Sequence, residues 1–73
     1  MILFKLSFRH GLLNTRIIHY FASQEDSMQF QASIENTHDY TGQQIYSHWD
    51  TQQVEVPNEP RDFAEWITNQ INL

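Results

Sequence analysis

Ser47-His48-x-Asp50 brings the residue types of a hydrolytic triad into one short stretch. A nucleophilic hydroxyl needs a base within hydrogen-bond reach, and the base needs a group to orient it. Gln43 to Thr51 reads as a strand, with Ile45, Ser47 and Trp49 on one face and Tyr46 and His48 on the other. Alternate residues of a strand point to opposite sides, so Ser47 and His48 are expected to diverge. His48 and Asp50 would share a face as a surface hydrogen-bonding pair, and His38-Asp39 reads as a loop pair. The four His (His10, His19, His38, His48) show no H-E-x-x-H pattern and no short helical ligand pair, and the chain has no Cys, so no metal site is expected. Gly11 and Gly42 stand alone and read as turn residues, not as a phosphate-cradling loop. No catalytic, cofactor-binding or metal-binding residue is assigned, and the expectation is a protein that is not an enzyme and carries no cofactor.

Charge is more informative. The net charge is −5, yet Lys5, Arg9 and Arg16 lie in the first sixteen positions, which hold no acid. From Ile17 onward there are nine acids and a single base, Arg61, with 44 consecutive residues free of Lys and Arg. Such a surface repels nucleic acid and attracts cationic protein. A solubilising net charge is the plain alternative. Four bases on an acidic body fall short of the six or more phosphate contacts that tight non-specific DNA binding uses, so direct nucleic-acid binding is not expected.

The elements that must carry these groups follow from pattern. Ile2, Phe4, Leu6 and Phe8 alternate with Leu3, Lys5, Ser7 and Arg9, a half-buried strand. Gly11 and Asn14 mark a turn, and Thr15 to Ala22 reads as a second strand, apolar on both faces. That double-sided character suits the sheet centre, or a place where the second face meets something else. Ser23 to Ser27 reads as a polar turn. Met28, Phe30, Ala32 and Ile34 against Gln29, Gln31, Ser33 and Glu35 predict a third strand over 28–36. Val54-Glu55-Val56 is a fifth strand, or the fourth continued past a bulge at 51–53. Pro60 opens a helix whose stripe is Phe63, Trp66, Ile67 and Ile71.

The expected architecture is one α+β domain over residues 1–73. Four or five antiparallel strands form a meander, and one C-terminal amphipathic helix packs on one face. The opposite face stays open and carries Lys5, Ser7, Gln29, Gln31, Ser33 and Glu35, with Tyr46 and His48. With 73 residues the chain is long enough for one domain only, and ten aromatics supply a dense small core. No apolar run reaches the length of a membrane span, and the N-terminus lacks the features of a secretion signal, so a cytoplasmic protein is expected.

The opening strand around Phe4, Lys5 and Leu6, the Ile18-His19-Tyr20 strand, Ala32-x-Ile34-Glu35-Asn36 and the closing Phe63-Ala64-Glu65-Trp66-Ile67 helix are similar to small type I-F anti-CRISPR proteins of phages. The likeness is one of layout. It implies a β-meander with a helix, and a steric or electrostatic inhibitor that covers a Cas surface where target DNA would sit. The stretch from Val54 to Trp66 also resembles the ending of small bacterial β-sheet DNA binders, which however carry basic sheets.

The functional expectation is a small acidic inhibitor, phage-encoded, docking on a basic nucleic-acid-binding host protein such as a CRISPR–Cas effector. Its contact groups would be Glu25, Asp26, Glu35, Asp39 and Tyr40. Tyr46 on the open face and Leu12 and Leu13 in the first turn are candidate anchors, unless the leucines fold back to cap the core. Two alternatives stand beside it. One is a small β-sheet nucleic-acid binder using Lys5, Arg9 and Arg16. The other is a homodimer through open sheet faces or edges with Leu12 and Leu13 at the seam.

Overall fold

A computed structural model describes residues 1–71. Three strands and two helices run in the order β1 (Ile2–His10), β2 (Thr15–Phe21), α1 (Gln24–Ile34), β3 (Tyr46–Glu55) and α2 (Pro60–Ile71). The antiparallel sheet has the order β2-β1-β3. The α+β class and the antiparallel sheet agree with the sequence pattern, but the described residues form three strands and two helices where four or five strands and one helix were expected. The first strand, not the second, holds the centre.

The period-2 pattern of β1 explains its place. Phe4, Leu6 and Phe8 face one side and meet Phe21, His19 and Ile17 of β2 in register. Leu3, Lys5 and Ser7 face the other side, where Tyr20 pairs with Lys5 and Ile18 with Ser7. β2 is apolar on both sides because a helix lies against each. Phe30 of α1 packs 4.9 Å from His19, 5.3 Å from Phe21 and 6.1 Å from Phe8 between ring centroids. On the opposite face Trp66 of α2 meets Tyr20 edge-on at 5.7 Å. No sheet face is left wholly open.

The segment predicted as a strand over 28–36 is helical. Ser23 caps α1, its hydroxyl accepting from the Asp26 N–H at 3.1 Å, and Glu25 and Asp26 suit the positive end of the helix dipole. Alternation of Met28, Phe30, Ala32 and Ile34 splits between two sides of the helix. Ser27 is buried, Phe30, Gln31 and Ile34 are half-buried, and Met28 and Ala32 face solvent.

β3 carries a bulge, displaced from the expected position. Ser7 pairs with Asp50 and Arg9 with Ser47, so His48 and Trp49 together oppose Phe8. His48 takes up the extra residue in the left-handed region, φ 58°, a conformation uncommon outside glycine. The bulge shifts the phase of the strand. Tyr46 and Trp49, expected on opposite faces, both reach Phe8, Trp49 stacking at 4.6 Å and Tyr46 edge-on at 5.5 Å. Beyond the bulge the strand continues through Val54, as one of the two alternatives held. Val56 then donates its N–H to the Met1 carbonyl at 2.6 Å.

Among the described residues the buried apolar core is small: Leu6 and Val56 are 0% exposed and Phe8 2%. The radius of gyration is 14.5 Å and the extents are 47 × 27 × 13 Å, against about 11 Å expected for a compact domain of this length.

Candidate functional site

Glu25 and Asp26 in the first turn of α1 are exposed, and Glu35 at its C-cap is half-buried. Glu25, Met28, Ala32 and Glu35 are spaced three, four and three residues apart, so they share one face of the helix. Met28 and Ala32 form a shallow apolar strip between Glu25 at one end and Glu35 at the other. The strip spans about 15 Å at the helical rise. Gln29 donates to the Glu25 carboxylate and Gln31 to that of Glu35, each at 3.4 Å. Arg9 donates to Asn14, and Arg16 to the Ser7 hydroxyl at 3.1 Å. Among the described residues, then, the side-chain hydrogen bonds of the arginines go to neutral partners and those of the carboxylates come from neutral donors.

The loop after α1 is built around Asp39. Its Oδ1 accepts from the Thr41 N–H (2.8 Å), the Thr41 hydroxyl (2.6 Å) and the Gln43 N–H (3.1 Å). The backbone closes the turn through Asp39 N–H to Gln43 carbonyl and Gly42 N–H to Asp39 carbonyl. Gly42, at φ 87°, supplies the left-handed residue that the turn requires. Chiefly the Thr41 hydroxyl, with the backbone N–H groups of Gln43, Thr41 and Gly42, holds the Asp39 carboxyl below its ordinary value of 3.8, against an opposing effect of desolvation. Asp39 is therefore a turn-former first. The turn lifts Tyr40 clear of the protein, 101% exposed.

A group with a depressed pKa contributes structure above its unfolded pKa and loses it as pH falls through the folded one. The turn over residues 39–43 is thus expected to stay ordered at pH 3.8 and to loosen only in stronger acid. Asp39→Ala should loosen it at every pH. Amide chemical shifts of Thr41, Gly42 and Gln43 across an acid titration check both outcomes.

Of the residues the sequence nominated, Leu12, Leu13, Glu35, Asp39 and Tyr40 come to one end of the sheet. Gly11 donates its N–H to the Ile45 carbonyl at 2.8 Å, and this bond ties the first hairpin to the loop that carries Asp39 and Tyr40. Leu12 and Leu13 are 66% and 70% exposed and do not cap the core. Glu25 and Asp26 sit at the far end of α1. Tyr46 is half-buried against Phe8 and His10 instead of standing on an open face. Trp49 and Trp66 belong to opposite faces of the sheet.

A second constellation was missed by the strand reading. Because His48 is left-handed, it does not diverge from Ser47: Ser47 Oγ lies 2.9 Å from His48 Nδ1. Arg9 and Arg16 are paired in register. With Asn14 and His48 they line a cleft of about 290 Å³. Like charges directly opposite on a strand pair are unfavourable unless something compensates them. Only the left-handed conformation of a non-glycine residue could have revealed this cleft, and no motif encodes it. No group of three or more potential metal ligands is found among the described residues. Nor is any helix among them long and apolar enough to cross a membrane. The chain matches no protein-family model, and no curated protein or solved structure matches it.

Proposed function

We propose that the protein is a small non-enzymatic inhibitor that docks its acidic helix face on a basic, nucleic-acid-binding protein and blocks access of DNA. The observation that carries this reading is the strip along α1. Among the described residues its carboxylates are hydrogen-bonded only by neutral groups, and they flank an exposed Met28 and Ala32. Carboxylates of this kind steer an encounter with a cationic surface, while the apolar strip and Tyr40 supply contact area that slows dissociation. The resemblance to type I-F anti-CRISPR proteins names one such partner, a Cas effector in the host cytosol.

The test is the triple reversal Glu25→Lys, Asp26→Lys, Glu35→Lys. Asp39 is left intact because its carboxylate builds the turn. The wild type is expected to suppress target-DNA binding by a type I-F effector complex, most strongly at low salt. The reversed protein should lose this effect by at least tenfold while keeping its far-UV spectrum. Equal inhibition by both proteins would sink the electrostatic reading, and no inhibition by the wild type would remove the effector as partner.

The cleft of Arg9, Arg16 and His48 favours a second reading, contact with nucleic-acid phosphate. Guanidinium groups suit phosphate oxygens geometrically. Retarded migration of duplex DNA with the wild type but not with Arg9→Gln, Arg16→Gln would support it.

A further inference from the structure

Arg9 and Arg16 stand directly opposite one another in the β1–β2 ladder. Cβ atoms of such a pair lie ~4.5–5.5 Å apart, and like charges at that spacing repel. Among the described residues the side-chain hydrogen-bond partners of both are neutral. Arg9 donates to the Asn14 side-chain oxygen and Arg16 to the Ser7 hydroxyl. Ser7 is 2% exposed, so its hydroxyl is a fixed acceptor built into the sheet. These bonds orient two guanidinium groups and leave their charge intact. Asp50 of β3 pairs with Ser7 across the ladder, but among the described residues it makes no hydrogen bond to either arginine.

His48 lines the same cleft. Its backbone is left-handed, φ 58°, a conformation that outside glycine gathers at ligand clamps and active sites. Ser47 Oγ lies 2.9 Å from its Nδ1. When the Ser47 hydroxyl donates to Nδ1, the neutral ring carries its proton on Nε2 and offers a third donor.

We infer that this cleft binds a phosphomonoester, the terminal phosphate of a nucleotide or of a nucleic-acid 5′ end, between the two guanidinium groups. The inference rests on the phosphate reading of the same cleft and narrows it. Charge is the first reason. A phosphomonoester carries about −1.5 to −2 at pH 7, which matches two guanidinium groups; a carboxylate or phosphodiester carries a single charge. Geometry is the second. One guanidinium fork takes up both oxygens of a carboxylate, whereas the three oxygens of a terminal phosphate reach both arginines and His48. Extent is the third. The cleft of about 290 Å³ lies at the lower limit of the ~300–1,000 Å³ sites that enclose whole ligands, so it takes the phosphate and leaves the remainder outside. Duplex DNA carries one charge per ~1.7 Å of axis. Laid across the cleft, it would press neighbouring phosphates against a chain with nine acids and one base beyond Arg16. A phosphate entering end-on avoids that repulsion.

Nitrogen–proton correlation spectra of the full chain at neutral pH and low salt test this with four probes. These are inorganic phosphate, adenosine 5′-monophosphate, a 5′-phosphorylated single-stranded oligonucleotide, and the same oligonucleotide with a 5′-hydroxyl. Resonances of Arg9, Asn14, Arg16 and His48 are expected to shift with the first three, and the 5′-phosphate should tighten oligonucleotide binding at least tenfold. Tighter binding of the mononucleotide marks the free nucleotide as ligand, and tighter binding of the strand marks its end; either supports the inference. Arg9→Gln and Arg16→Gln should each weaken binding of the phosphorylated strand at least tenfold. Lys5→Gln, on the same face of β1 but outside the cleft, should change it less than threefold. Should an arginine variant unfold, the wild-type shift map decides: shifts confined to the cleft support the inference, and shifts spread over the sheet overturn it. Equal losses for Lys5→Gln and Arg16→Gln also overturn it, in favour of a diffuse field. Equal affinity for the phosphorylated and hydroxyl ends overturns it and leaves phosphodiester contact standing. No shift with any probe overturns it as well, while retardation of duplex DNA decides the second reading by itself.

Discussion

Phe8→Ala is expected to leave the chain largely unfolded at room temperature. Phe8 is 2% exposed and forms the hub of the aromatic cluster, with Trp49, Tyr46, His19 and Phe30 rings between 4.6 and 6.1 Å away. Truncating a buried Phe removes its transfer free energy and leaves a cavity, together about 3–5 kcal/mol. A domain of this size has only ~4–11 kcal/mol in total, and a core with three buried apolar side chains among the described residues belongs near the lower end. Its neighbours cannot collapse into the gap, because the bulge fixes Trp49 on one side and the β1–β2 register fixes His19 on the other. Urea denaturation followed by tryptophan fluorescence checks the outcome. An unfolding free energy within about 1 kcal/mol of wild type would mean that the aromatic cluster is not the main stabilising element.

Trp66→Ala is expected to release α2 while sparing the sheet. Trp66 supplies the aromatic contact to Tyr20 at 5.7 Å and stacks on Phe63 at 6.1 Å. Truncating a half-buried Trp costs half as much as truncating a fully buried one, about 2 kcal/mol. That corresponds to about a 30-fold loss of local protection against exchange. Amide hydrogen exchange should therefore show α2 opening readily in the variant while β1, whose ladders run to both neighbours, changes little. Equal loss of protection in α2 and β1 would show that the molecule opens as one unit.

The sequence is legible where one period acts without competition. β1 alternates cleanly over Ile2 to Phe8, Gly11 and Asn14 mark the hairpin, and Pro60 with the 63–66–67–71 stripe marks α2. The 28–36 segment failed because Phe30 and Ile34 satisfy both periods: two apart from Met28 and Ala32 along a strand, four apart from each other along a helix. Ser23-x-x-Asp26, a capping signature, and the absence of β-branched residues from Gln24 to Ser33 were the deciding signs. The bulge at His48 is not readable from composition. The left-handed His48 lies between the ladder pairs Arg9–Ser47 and Ser7–Asp50, and that shift of phase moved Tyr46, Ser47 and Trp49 away from their expected neighbours. Of the candidate site, the acids were legible because charge on a small protein has few places to go but the surface. The turn-building role of Asp39 was not, since it depends on the backbone geometry of Thr41 and Gln43.

The placement of β1 between a near and a distant neighbour has a temporal consequence. Its pairing with β2 closes across a short hairpin, whereas Ile2 pairs with Glu55, far along the sequence. Local closure takes microseconds, and distant closure waits on a larger entropic search. On the ribosome the hairpin and α1 are complete before Tyr46–Glu55 has been translated. One rim of β1 therefore stays unsatisfied until β3 has been synthesised, and the nascent protein is most prone to mispairing during that interval.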